Sequence, residues 1–301
     1  MEKRILGRTG LSIKSLCFGG MELEHLDERQ ANILLNTALD SGLNYVDTSP
    51  EYVRSEELIG KSIGHRRGEY ILATKCGDNM TGVGPVYKFD KETLLSNLEN
   101  SLKLLKTDYI DVWQLHAVVP EFFPDGEADE AVQVMLDARK QGKVRFLGAT
   151  IRNGKPSEEL YPAGFGYNSI LEFGSWKSMD VIQLVYGGMT RMSENVIAKT
   201  FSEYGTGIIA RGVIKKYKEN YDELFEKSGL AGLLSEGETK TAFLIRYALS
   251  HPGISSLVIG TKSVGHLLEN IKTADHGKLP TDVYEEAKRC LDAVGITAGK
   301  A

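Results

Sequence analysis

Residues 42–52 read Gly42-Leu43-Asn44-Tyr45-Val46-Asp47-Thr48-Ser49-Pro50-Glu51-Tyr52. The glycine suits the end of a helix, where a left-handed residue turns the chain toward its next element. Asn44-Tyr45-Val46-Asp47 then has the length and apolar weight of a short buried strand, and it stops at a carboxylate. Upstream, 28–41 is amphipathic and brings Ile33, Leu34 and Ala38 toward one stripe. The unit is therefore helix, turn, buried strand, polar end.

The same unit recurs along the chain. Short runs rich in Val, Ile, Leu and Tyr predict further strands at 15–18, 70–75, 110–114, 144–149, 181–184, 207–210 and 256–259. Helical spacing fills the gaps at 55–63, 91–105, 129–141, 193–201, 238–249, 264–273 and 280–291. In 91–105 the stripe is Leu94, Leu95, Leu98, Leu102 and Leu105. Alternation of this kind predicts an α/β fold, with a (β/α)8 TIM barrel leading and a doubly wound sheet as the rival, because short buried strands do not reveal closure. No linker or compositional break appears, so 1–301 is expected to form one domain. The stretch Gly77–Pro85 follows a strand and is long enough to shape a pocket, but its Gly82-Val83-Gly84 lacks the spacing of a dinucleotide fingerprint.

Composition narrows the function classes. At 42% hydrophobic and 26% charged, the 301-residue chain can bury a sizeable core. A net charge of -5 gives no footprint for a polyanion, so no nucleic-acid partner is expected. No apolar run approaches a membrane span, so no membrane insertion is expected. Cys17, Cys76 and Cys290 cannot all pair and form no close-set metal motif; free thiols, no metal and a cytoplasmic location are the expectation.

Polar residues interrupt the strands at their carboxyl ends. Asp47 ends one strand with Tyr52 five residues on, Lys75 ends the next, and His116 lies just beyond 110–114. In a parallel barrel such ends converge on one mouth. An ammonium beside a phenol favours the phenolate, and a carboxylate fixes the ammonium, so Tyr, Lys and Asp together make a tunable proton donor. Each residue also has an ordinary reading: Tyr52 as packing, Asp47 as a local cap through Thr48 and Ser49, Lys75 reaching solvent, His116 as a satisfied rim residue.

Taken together, the segments resemble the aldo-keto reductase superfamily. The match runs from Leu6-Gly7-Arg8-Thr9-Gly10-Leu11 and Phe18-Gly19-Gly20 through 42–52, Ser55-Glu56-Glu57, Gly60-Lys61 and Thr74-Lys75 to Asp111-Val112-Trp113-Gln114-Leu115-His116. It continues through Gly142-Lys143-Val144-Arg145 and Gln183 to 260–270, nearly the whole chain. The resemblance implies a barrel with an N-terminal β-hairpin and a catalytic tetrad of Asp47, Tyr52, Lys75 and His116. It also implies reversible, nicotinamide-dependent reduction of an aldehyde, ketone or sugar carbonyl, with Tyr52 giving the proton.

The same likeness places the cofactor. Gln183 and Thr150 match positions that hold the nicotinamide carboxamide, with apolar Ile151 in place of the usual Asn, and Arg211 stands where relatives stack an aromatic ring. Gly260, Thr261, Lys262 and Ser263 lead into a helix whose free N–H groups suit a phosphate, while His266, Glu269 and Asn270 match the adenosine end. Lys262 favours NADPH; His266, where some NADPH-preferring relatives carry Arg, keeps NADH as the alternative. Val53 replaces the Gly that usually follows the tyrosine, and Met21, Trp113, Phe122, Phe123, Met189 and Met192 are candidates for the substrate pocket. The expected partner is a small or medium carbonyl substrate, with monomer and homo-oligomer both open. Two other readings stand beside reduction: a nicotinamide-binding regulatory or channel-associated subunit, and an enzyme using transient redox for isomerisation or elimination.

Overall fold

The computed structural model describes residues 1–81, 86–151, 167–214 and 220–299. Eight parallel strands close into a barrel: β3 (Leu16–Gly19), β4 (Tyr45–Asp47), β5 (Ile71–Cys76), β6 (Ile110–Val118), β7 (Val144–Ile151), β8 (Val181–Val185), β9 (Gly207–Arg211) and β10 (Ser256–Gly260). They neighbour one another in chain order, and β10 pairs with β3 to complete the circle. Closure settles the choice left open by the pattern, and the doubly wound sheet is excluded.

Ahead of the barrel, β1 (Lys3–Ile5) and β2 (Ser12–Lys14) form an antiparallel hairpin. This hairpin seals the amino-terminal end through Leu6, in its connection, and Ile13, in β2. Leu6 and Ile13 are fully buried in the same apolar cluster as the barrel residues Cys17, Tyr45 and Val112. Close approach there requires glycine: a Cβ on Gly7, which sits at φ +48, would fall 2.1 Å from the Gly207 nitrogen.

Outside the barrel lie α1 (Glu28–Asp40), α2 (Ser55–Ile63), α3 (Lys91–Leu105), α4 (Glu130–Lys140), α5 (Tyr167–Ser175), α6 (Glu194–Tyr204), α7 (Tyr221–Ser228), α8 (Lys240–Ser250), α9 (Val264–His276) and α10 (Thr281–Ala293). The α1 start is fixed by a reciprocal pair, Asp27 accepting from the Gln30 N–H and Gln30 from the Asp27 N–H. Gly42 follows its end at φ +87, as its position in the sequence suggests. None of the described helices is long and apolar enough to cross a membrane.

Two helices, α5 and α7, are absent from the periodicity reading. Apolar spacing in α5 is diluted by Asn168, Ser169 and Gly174; yet Gly174 is what lets α6 approach, since a Cβ there would meet the Thr200 methyl at 2.4 Å. Helix α7 is only two turns long, buried through Tyr221 and Phe225. Of the stretch Gly77–Pro85, residues 82–85, including Gly82-Val83-Gly84, lie outside the described residues.

Candidate active site

Residues two apart on a strand face the same side, and here that alternation separates two layers inside the barrel. The lower layer is apolar: Tyr45, Ala73, Val112, Val181 and Ile209. Two residues further along each of those strands stand Asp47, Lys75, Gln114, Gln183 and Arg211. The apolar layer excludes water from below, so the polar layer above it sits on a dry floor.

Within that layer the contacts are short and specific. Lys75, only 1% exposed, donates from Nζ to Asp47 Oδ1 at 2.7 Å and to the Thr48 carbonyl at 2.6 Å. The other oxygen of Asp47 accepts from Gln183 Nε2 at 2.9 Å and Gln114 Nε2 at 3.2 Å. Lys75 therefore does not reach solvent, and Asp47 is an internal counter-ion rather than a local cap. Burial opposes the ammonium, but the charge of Asp47 and the neighbouring Tyr52 outweigh it and hold Lys75 above the ordinary lysine value. Its nitrogen lies 4.8 Å from the centroid of the Tyr52 ring.

His116 belongs to β6 itself, which runs four residues beyond the Gln114 boundary suggested by the sequence, to Val118. The pairing of β6 with β7 shifts register between Leu115 and Val118, and Ala117 adopts φ +51, which few non-glycine residues do. Thr150 Oγ1 accepts the Ala117 N–H at 2.8 Å and so fixes this bulge. On the imidazole, Nδ1 lies 2.6 Å from Asp78 Oδ1 and 3.2 Å from Ser49 Oγ, while the Tyr52 and Tyr87 rings meet it edge-on at 6.2 and 5.4 Å.

Asp78 was not singled out by the sequence reading. It sits three residues beyond Lys75, at the same strand end that supplied the other candidates, and that position is the signal that could have found it. Asn97 on α3 holds this corner, accepting the Gly77 N–H at 2.9 Å and donating to the Asp78 carbonyl at 3.1 Å. Burial alone would raise the Asp78 pKa, but His116 and the Ser49 hydroxyl hold it below the usual carboxylate value. Gln114, too, went unread.

A cleft of about 340 Å³ opens above Asp47 and Tyr52 and is shared by Gln183, Arg211 and Gly260. Its wall at Gly20 is bare of side chain, and a Cβ there would stand 2.6 Å from Ser55 Oγ. Arg211 crosses the cleft's edge, donating from Nη2 to the Ile151 carbonyl at 3.2 Å. Past Gly260, Thr261 Oγ1 accepts the Ser263 N–H at 3.1 Å and Ser263 Oγ accepts the His266 N–H at 3.3 Å. Val264 and Gly265 are the first two residues of α9, where a helix leaves its N–H groups without intrahelical acceptors, and Lys262 just before them is exposed. Bare glycine walls leading to a helix start with free donors and a cation fit a nicotinamide dinucleotide.

The remaining candidates divide. His266 and Glu269 are exposed on α9 and Asn270 is buried there, whereas the Thr150 hydroxyl is turned to Ala117. Met21 lines the cleft and Phe122 is partly exposed. Trp113, Phe123 and Met189 are instead core residues, and Met192 is half-buried. Trp113 is turned away because, on β6, Val112, Gln114 and His116 take the inward positions.

Comparison with known proteins gives the family and the fold. The model of the aldo/keto reductase family matches residues 15–292. The chain is 28% identical to the L-galactose dehydrogenase of Arabidopsis thaliana, over 90% of this chain and 87% of that one. To the NADH-specific methylglyoxal reductase of Escherichia coli it is 26% identical, over 72% of each chain. The holo form of the aldo-keto reductase AKR11C1 from Bacillus halodurans superposes with a TM-score of 0.81 at 24% identity, over 96% of each chain, a likeness of fold.

Proposed function

The chain belongs to the aldo/keto reductase family, whose members are nicotinamide-dependent oxidoreductases acting on carbonyl groups, and on that premise we propose that it reduces a small or medium aldehyde, ketone or sugar with Tyr52 as proton donor. The observation that carries the reading is the buried Asp47–Lys75 pair at 2.7 Å beneath the Tyr52 ring. Bound reduced nicotinamide supplies a hydride to the carbonyl carbon. Charge then grows on the carbonyl oxygen, and donors aimed at that oxygen stabilise the transition state more than the ground state. Lys75 favours the phenolate that Tyr52 becomes once its proton has left, and Asp47, held by two glutamines, keeps the ammonium in place. His116 orients and polarises the carbonyl. In the oxidative direction the same phenolate takes the proton back.

For the cofactor, we assign the carboxamide to Gln183 and Thr150, the ring face to Arg211, and the phosphate to Gly260, Thr261, Lys262 and Ser263. His266, Glu269 and Asn270 take the adenosine end, with NADPH preferred to NADH. The buried thiols Cys17 and Cys76 fit a cytoplasmic setting.

The test is turnover of reduced nicotinamide on a panel of aldehydes, ketones and sugars, wild type against Tyr52→Phe. Loss of at least a hundredfold in kcat with retained cofactor affinity supports the assignment. Full turnover by Y52F on a genuine substrate would remove Tyr52 as the donor.

A further inference from the structure

Large apolar side chains are exposed unevenly on this molecule. Among the described residues there are ten, and five of them, Met21, Val53, Met80, Val86 and Phe122, stand on the loops that follow β3, β4, β5 and β6. The other five are scattered over the hairpin and four helices, one to each, which is ordinary for a protein surface. Strands β3 to β6 are neighbours in the barrel, so their loops share one half of its mouth. That half holds Tyr52 and His116. The ends of β8, β9 and β10 supply the other half with Gln183, Arg211 and Gly260.

Val53 is the sharpest case. It follows Tyr52 directly, holds φ +44 although β-branched, and is 69% exposed. Neither backbone preference nor packing within the fold accounts for an apolar side chain there. Strain of this kind gathers at sites that clamp ligands. Beside it, Met21 lines the same cleft as Tyr52. Tyr87, paired with Asp78 across a short hairpin after β5, turns its ring edge-on to His116 at 5.4 Å. Phe122, after β6, is held at the rim by Phe89, with ring centroids 5.6 Å apart.

The charged groups of these loops narrow the ligand. Glu22 lines the cleft, and Glu51 Oε2 stands 3.5 Å from His116 Nδ1. The basic side chains are already paired: Arg54 with Glu28 at 3.6 Å, Lys88 with Asp90 at 3.2 Å, and Lys75 with Asp47 at 2.7 Å. Among the described residues, an anionic carbonyl compound would meet acids here and no spare Lys or Arg. An alkyl or aryl body would instead cover apolar surface that is otherwise wet.

We propose that the substrate is an uncharged carbonyl compound with an alkyl or aryl body, and that Val53 selects it by contact with the carbons beyond the carbonyl. With the carbonyl at Tyr52 and His116, that body lies over Val53, toward Met21 and Phe122. Covering Val53 on binding offsets the strain that the free protein carries.

This deepens the reductase reading and rests on it, but the two fail differently. Straight-chain primary amides, from propanamide to heptanamide, imitate the carbonyl group and are not turned over. Their affinities for the protein in the presence of NADP+, measured by calorimetry, need no activity. In wild type and in Val53→Leu, affinity should rise roughly two- to fourfold with each methylene. In Val53→Gly, which relieves the backbone at φ +44 and so has no reason to misfold, the rise should flatten. Values of kcat/KM for the matching aldehydes should follow the same order, with hexanal ahead of glyceraldehyde by roughly tenfold. No amide binding, affinity independent of chain length, an equal rise in V53G, or a preference for glyceraldehyde would overturn the proposal. A rising amide series with no aldehyde reduced would strike the reductase reading alone.

Discussion

Thr150 Oγ1 accepts the backbone N–H of Ala117 at 2.8 Å, so a side chain of β7 sets the conformation of the residue that follows His116 on β6. The bond crosses the point where the two strands lose register, and Ala117 lies at φ +51 there. Local strain of this kind persists only where its surroundings hold it.

Replacing Thr150 by Val keeps the shape and removes the acceptor. The buried Ala117 N–H then has no partner, at a cost of about 1–3 kcal/mol. Denaturation without cofactor should show that loss, and turnover should fall as His116 loses its aim. Thr150→Ser keeps the oxygen and should stay close to wild type in both. A stable T150V would mean that the bulge stands without this brace.

Glu56 gives a stability signature of its own. It is buried on α2, accepts from Thr74 Oγ1 at 2.6 Å through one oxygen and has no bond to the other. Burial pushes its pKa from 4.5 up to about 7, with the Thr74 hydroxyl pulling the other way. The folded state thus binds the proton more tightly than the unfolded chain. The stabilisation is complete below about 4.5 and lost as pH rises through about 7. Urea titrations should show Glu56→Gln gaining on wild type across that window, on the order of 3 kcal/mol. A pH-independent difference would place the titration elsewhere.

Val53 is a β-branched residue at φ +44 and 69% exposed, so little packing offsets its backbone strain. Val53→Asn, which tolerates the left-handed region, should raise stability by about 1 kcal/mol in thermal unfolding. No gain would show that contacts of the valine balance the strain.

For the cofactor, Lys262→Ala should weaken NADPH binding roughly tenfold, equivalent to about 1.4 kcal/mol, and leave NADH little changed in equilibrium titrations at matched pH and ionic strength. Equal losses for both would move Lys262 away from the extra phosphate.

The barrel strands were legible because each is a short apolar run covered on both faces; seven of them end within two residues of where the apolar run does. The start of β6 was read correctly at Ile110 but its end was not, since no sequence rule announces a left-handed Ala117. The polar ends Asp47, Lys75 and His116 stood out against apolar neighbours. Asp78 did not, because it follows Gly77 and reads as loop; only the fold turns it toward His116. Trp113 was misplaced toward the mouth because a loop-adjacent aromatic gives no clue to which side of the barrel it faces.

The plugged amino-terminal end has a consequence for access. With Leu6 and Ile13 sealing one end, the described residues leave the chamber over Asp47 open toward the opposite end of the barrel, so on the proposed reading both the carbonyl compound and the dinucleotide would enter from the same side.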